Sequence, residues 1–199
     1  MKKLINKTTA YLLCATALLS CVKEVEPSLD NSDESIVPEG YVLQTFSAVS
    51  EQTKTSIVSG NTVWNVEDKI LTLCTDGTVT DPFSLVEGAG TTAGKFQGLV
   101  PDGKTVSCAI YPHDVYSSAS ETTVSVSIAS EQPGTFAAGN IAVAKVDNEN
   151  KLSFKNVNSF LVFQLKPESG VTKVKVSSVD GSPLAGIVAV DCSGETPTA

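Results

Sequence analysis

The chain has 199 residues, of which 41% are apolar and 18% charged, and a net charge of −8. That length suffices for one ordinary domain, or one domain and part of another. The acidic balance argues against nucleic acid as a partner, and the absence of arginine removes the usual bidentate grip on phosphate or carboxylate.

Lys2, Lys3 and Lys7 form a positive start, and Ala10 to Leu19 form a largely apolar run. This is the layout of a secretory signal peptide. The run is too short for a membrane span, which needs about 20 residues. It ends in Leu18-Leu19-Ser20-Cys21, which resembles the lipobox of bacterial lipoproteins. The resemblance implies cleavage before Cys21, acylation of its thiol, and Cys21 as the lipidated first residue. An ordinary cleaved signal with a chance cysteine is the other reading. Each buried methylene contributes about 0.8 kcal/mol, so more than one acyl chain holds firmly. Residues 1–20 are thus read as a lipoprotein signal peptide and 21–40 as a lipidated acidic tether.

Three of the fourteen lysines belong to the leader, so residues 22–199 carry eleven lysines against twenty-two acids, a net −11. In the tether, Lys23, Glu24, Glu26, Asp30, Asp33 and Glu34 favour solvation, and Pro27 and Pro38 break regular structure. Such a composition does not fold alone. Asp30-Asn31-Ser32-Asp33-Glu34 lacks the glycine and terminal glutamate of a calcium loop and reads as linker. Val22-Lys23-Glu24-Val25-Glu26 resembles the charged signal that sends Bacteroidetes lipoproteins to the cell surface. With Cys14 in the leader and Cys21 acylated, Cys74, Cys108 and Cys192 remain. They sit singly in apolar runs without Cys-x-x-Cys spacing, which argues against a zinc site. Buried free thiols are the favoured reading. A Cys74–Cys108 disulfide stays open for an exported protein.

From Tyr41 onward the patterns are those of strands and turns. Strands are predicted at Tyr41–Val49, Thr62–Val66, Lys69–Thr75, Lys104–Tyr111 and Thr122–Ala129. Val106, Cys108 and Ile110 are expected on one face. Val124, Val126 and Ile128 alternate with Ser125 and Ser127, and a period of two marks a half-buried strand. Asp76-Gly77, Asp102-Gly103 and Asp180-Gly181 are turn dipeptides. After a polar break at Asp147–Asn150, further strands are predicted at Leu152–Phe154, Phe160–Leu165, Val171–Val176 and Leu184–Val190. No stretch after the leader shows a sustained helical period.

The expected fold class is all-β, an antiparallel β-sandwich of transthyretin or immunoglobulin type with the start of a second sandwich. Residues 41–150 are read as the N-terminal sandwich and 151–199 as the beginning of a second β-domain. Those last 49 residues hold four strand candidates, whereas a sandwich takes about seven strands over roughly 100 residues. Phe163, Leu165, Val174, Val176 and Val188 are therefore expected to lack cover, and the chain is expected to be a fragment. The other reading has these strands complete one domain from 41 to 199.

Five stretches in order resemble the fimbrillin family of Bacteroidetes, which supplies subunits and anchors of type V pili. They are Phe46-Ser47-Ala48; Thr53-Lys54-Thr55-Ser56-Ile57 with Trp64-Asn65-Val66-Glu67-Asp68-Lys69-Ile70; Ala109-Ile110-Tyr111-Pro112; Leu152-Ser153-Phe154-Lys155-Asn156-Val157; and Phe160-Leu161-Val162-Phe163. Glu67 stands where the family usually has glycine. The resemblance implies an outer-membrane lipoprotein, surface-exposed and part of a fimbrium. It implies other pilus subunits as partners through strand exchange, with host or glycan ligands for an adhesin. In that family an arginine-specific protease removes the lipid and a leading segment from stalk subunits. This chain has no arginine, so lipid retention by an anchor is favoured over cleavage of Val22–Gly40 by another protease.

Catalytic residues, metal sites and cofactors are not expected. His113 is the single histidine, beside Asp114, and no serine or cysteine stands in a nucleophile motif such as Gly-x-Ser-x-Gly. Gly88-Ala89-Gly90 lacks the Gly-Lys-Ser/Thr of a phosphate loop and reads as a hairpin connection. Trp64 reads as a core anchor and Asp68 as a turn residue. The alternative function is a surface glycan-binding lipoprotein of a nutrient-uptake system, which needs exposed aromatic platforms.

Overall fold

A computed structural model describes residues 37–50, 63–132, 139–161 and 163–199. Cys21, the leader, most of the tether and Thr53–Ile57 lie outside the described residues. The fold is all-β. Its strands are β1 (Tyr41–Ser50), β2 (Lys69–Cys74), β3 (Phe83–Glu87), β4 (Ala93–Pro101), β5 (Val106–Tyr111), β6 (Tyr116–Ala119), β7 (Thr123–Ile128), β8 (Ala142–Lys145), β9 (Lys151–Asn156) and β10 (Gly186–Asp191).

Where the sequence suggests an antiparallel sandwich, seven strands close into a barrel in the order β1-β4-β3-β2-β5-β8-β9. The closing seam is parallel, with Ser47–Ser50 of β1 opposite Lys151–Phe154 of β9. The other pairings are antiparallel. A separate sheet, β10-β7-β6, carries the remaining strands. The boundary expected near residue 150 falls in the turn between β8 and β9, and Ile36–Ala199 is one compact unit. Asp147 shapes that turn by accepting from the N–H groups of Glu149 and Lys151, both at 2.9 Å. Strands beyond it complete the same structure: β9 seals the barrel, and β10 pairs with β7 from Gly186–Ile128 to Asp191–Thr123.

Two apolar cores result. The first fills the barrel with Phe46, Phe83, Phe96, Phe154, Trp64 and Leu152, among others. Fully burying one such side chain contributes about 1.5–3 kcal/mol. The second lies between the outer wall of β2, β5 and β8 and the three-stranded sheet, and holds Leu71, Leu73, Ile110, Val124, Val126 and Val190. Alternation along β2 serves both cores at once, with Ile70 and Cys74 inward and Leu71 and Leu73 outward.

A bulge corrects the expected face of β5. Leu73 pairs with Cys108 and Cys74 with Val106, so Ser107 is the extra residue. Its hydroxyl donates to the Leu73 carbonyl at 3.0 Å. The extra residue turns Val106 into the barrel, away from Cys108 and Ile110 in the outer core.

Three predicted strands are not formed by their described residues. Thr62–Val66 contributes only a short ladder, in which Trp64 N–H donates to the Thr91 carbonyl and Gly90 N–H to that of Trp64. Phe160–Leu165 and Val171–Val176 carry no strand among their described residues. Conversely, β3, β4, β6 and β8 arise where no strand is predicted.

Candidate assembly surface

The residues singled out for chemistry are scattered. His113 opens a single 3-10 turn after the cis Tyr111–Pro112 bond. Asp68 caps a turn: its carboxylate accepts the Asn65 N–H at 2.7 Å, and Asp68 N–H donates to the Asn65 carbonyl at 3.0 Å. No left-handed residue is required there, because Asn150 is the one described non-glycine with positive φ. Glu67 therefore fits where the resembled family has glycine. The other Asp68 oxygen accepts from the Tyr111 hydroxyl at 3.0 Å. Burial, reinforced by the Asp68 charge, pushes the Tyr111 hydroxyl pKa up.

Trp64 is 3% exposed and makes edge-to-face contacts with Phe96, Tyr111 and Phe154 at centroid distances of 5.0, 5.2 and 5.7 Å. It is a core anchor, not a surface platform. The Gly88-Ala89-Gly90 stretch joins β3 to β4, with positive φ at both glycines. The described residues contain no group of three or more His, Cys, Asp or Glu that could hold a metal.

A shallow pocket of about 250 Å3 is lined by Lys145, Asp147, Lys151, Lys155 and Glu195. Lys145 is engaged there, donating to the carbonyls of Ser193 at 2.9 Å and Gly194 at 2.8 Å. Its lining contains no aromatic side chain, so it offers no stacking face to a sugar.

The more distinctive feature is apolar surface along 161–187. After β9 the chain is tied down by Asn158, which accepts the Ile141 N–H at 3.2 Å and donates to the Gly139 carbonyl at 2.8 Å. Beyond that anchor the exposed apolar side chains include Leu161 (70%), Phe163 (51%), Leu165, Val174, Val176 and Ile187 (62%). Val188, by contrast, is half-buried against the outer core. No strand pairing among the described residues involves 160–185. The ion pair of Lys173 with Glu131, at 2.6 Å, is exposed at both ends and contributes little.

This segment leads into β10, an edge strand of its sheet. The side of β10 away from β7 is paired at one isolated bridge, Asp191 with Thr198. The remainder of that edge presents backbone donors and acceptors beside exposed Ile187 and Ala189. Phe163, Leu165, Val174 and Val176, expected from the sequence to lack cover, are exposed, and Val188, expected with them, is not.

Comparison with protein-family models, with curated proteins and with solved structures gives no match.

Proposed function

We propose that the chain is a surface-exposed outer-membrane lipoprotein, held by lipid on Cys21, that serves as a structural, anchor or adhesin subunit of a fimbrium. It assembles with other pilus subunits by β-strand addition. The observation that supports this reading is the open β10 edge with exposed Ile187 on it, in a chain that also exposes apolar side chains along 163–176. An added strand draws affinity from main-chain hydrogen bonds and specificity from alternate side chains. An open edge with apolar neighbours is otherwise an aggregation hazard, so a partner strand serves both ends. In this reading, the β6-β7-β10 sheet over the β2-β5-β8 wall is the sandwich element. No catalytic step, metal or cofactor takes part.

The glycan-binding alternative fits less well. Trp64 is buried in the barrel, and Tyr41 and Phe163 are the aromatics exposed beyond a third among the described residues. They lie far apart in sequence, and nothing places them on one platform.

The test is assembly in the native envelope. Complexes containing the chain are extracted gently and resolved by size, for the parent and for Phe163→Lys with Ile187→Lys. Both positions are exposed, so the fold is expected to survive the double change. The parent should run as a ladder of oligomers, and the double variant as a monomer still in the membrane fraction. A monomeric parent, or a double variant that assembles like the parent, would refute the reading.

A further inference from the structure

We propose that Cys108 and Cys192 close to a disulfide that fastens the end of β10 to the barrel wall. Cys108 is on the outer face of β5, and Cys192 directly follows β10. Both are buried in the outer core, the first fully and the second 5% exposed. Both belong to one packed cluster, which brings the two side chains to the same side of the β2-β5-β8 wall. An independent contact joins the same two segments. Lys145 stands opposite Cys108 on β8, and its ammonium donates to the carbonyls of Ser193 and Gly194, just beyond Cys192. The backbone of Cys192 is also held, its N–H donating to the Thr122 carbonyl at 2.7 Å.

Cys74 is excluded from this pair. It faces the barrel interior on the opposite side of the β2–β5 wall from Cys108. The Cys74–Cys108 pairing that the sequence leaves open is therefore blocked by the sheet itself. The Cys108–Cys192 pair spans 84 positions, and no spacing rule marks it.

Cys192, 5% exposed where Cys108 is fully buried, is the sulfur that an oxidant reaches first, and it reacts as the thiolate. As β10 docks, it attacks the disulfide of a thiol–disulfide oxidoreductase, or of glutathione disulfide, and one donor thiol leaves. Cys108 then loses its proton to solvent, attacks the mixed disulfide at the Cys192 sulfur and releases the second donor thiol. The two cysteines give up two electrons, and the donor disulfide becomes two thiols. In the cell the oxidant depends on the export reading, since exported proteins meet oxidising conditions. The pairing geometry does not depend on it.

The test uses the purified full chain treated with glutathione disulfide. The expected product is lighter by two hydrogens, and trypsin releases 105–145 linked to 176–199. Reducing it should lower Tm by about 5–15 °C. Cys74→Ala should keep that reductant sensitivity, and Cys108→Ala or Cys192→Ala should lose it. Either alanine can also weaken the core, so peptide mapping of the parent chain decides. Cys74, Cys108 and Cys192 all still open to alkylation after the oxidant, or a bond that includes Cys74, would overturn the inference. Blocking thiols at cell lysis separates the two readings. A bond already present supports both, whereas a dithiol in cells that closes with glutathione disulfide overturns export and upholds the pair.

Discussion

Replacing Trp64 by alanine tests whether the barrel is held by the cluster that the structure shows. The indole is buried against three aromatic rings. Truncating a buried tryptophan costs about 3–5 kcal/mol through lost transfer energy and the cavity left behind. Edge-to-face partners at these distances push the value to the upper part of that range. One term opposes the loss: Nε1 of Trp64 is buried and finds no hydrogen-bond partner among the described residues. Leaving a donor unsatisfied costs about 1–3 kcal/mol, and removing it recovers that cost. Trp64→Phe keeps one ring, leaves a small void and eliminates the donor, so the two effects nearly cancel. The expectation is a loss of about 4 kcal/mol for Trp64→Ala and a change within about 1 kcal/mol for Trp64→Phe. In a domain of this size, the alanine variant should melt about 8–16 °C lower. Urea titration followed by circular dichroism measures both variants. Trp64 is the single tryptophan, so fluorescence of the parent should trace the same transition if unfolding is two-state. A cost below about 1 kcal/mol for alanine would mean that the ring does not anchor the core. A cost above about 3 kcal/mol for phenylalanine would mean that the indole N–H is satisfied.

Gly98→Ala should cost about 1–3 kcal/mol in the same titration, because a Cβ at this β4 position would overlap the buried Phe83 ring. Asp76, held by Lys104 and by the Thr78 N–H, has its pKa lowered from 3.8 to about 2. A lowered folded-state pKa contributes stability that is present above pH 3.8 and lost as pH falls towards 2. Asp76→Asn should flatten this acid limb in melts recorded from pH 5 to 2, and high salt should shrink it, since the pair is exposed; an unchanged limb would count against the contact. Cells fed a palmitate analogue should label the parent but not Cys21→Ala, and mass spectrometry should place the mature N-terminus at Cys21. Equal labelling of the two, or a start near Tyr41, would defeat the anchor reading.

The sequence by itself determined strand identity for several stretches in which apolar residues alternate or run together with a packed partner. Tyr41–Val49, Lys69–Thr75 and Thr122–Ala129 became β1, β2 and β7 to within two residues at each end. It also determined the turns, since Gly77, Gly103 and Gly181 take the positive φ that their Asp-Gly dipeptides suggest. Trp64 in the core and Asp68 in a turn follow from side-chain chemistry alone.

Only the tertiary structure decided what pairs with what. The patterns in Leu152–Phe154 and Val171–Val176 are equally strand-like, yet the first closes a barrel against β1 and the second pairs with nothing among the described residues. Strand β4 was hidden because Gly94 and Gly98 interrupt its alternation. Its glycines stand where the Trp64 and Phe83 rings press on the sheet, a contact that no local window contains. The Ser107 bulge and the meeting of Cys108 with Cys192 have the same origin. Both depend on register between distant strands, and register is set by which apolar faces bury each other, not by the residues of either strand alone.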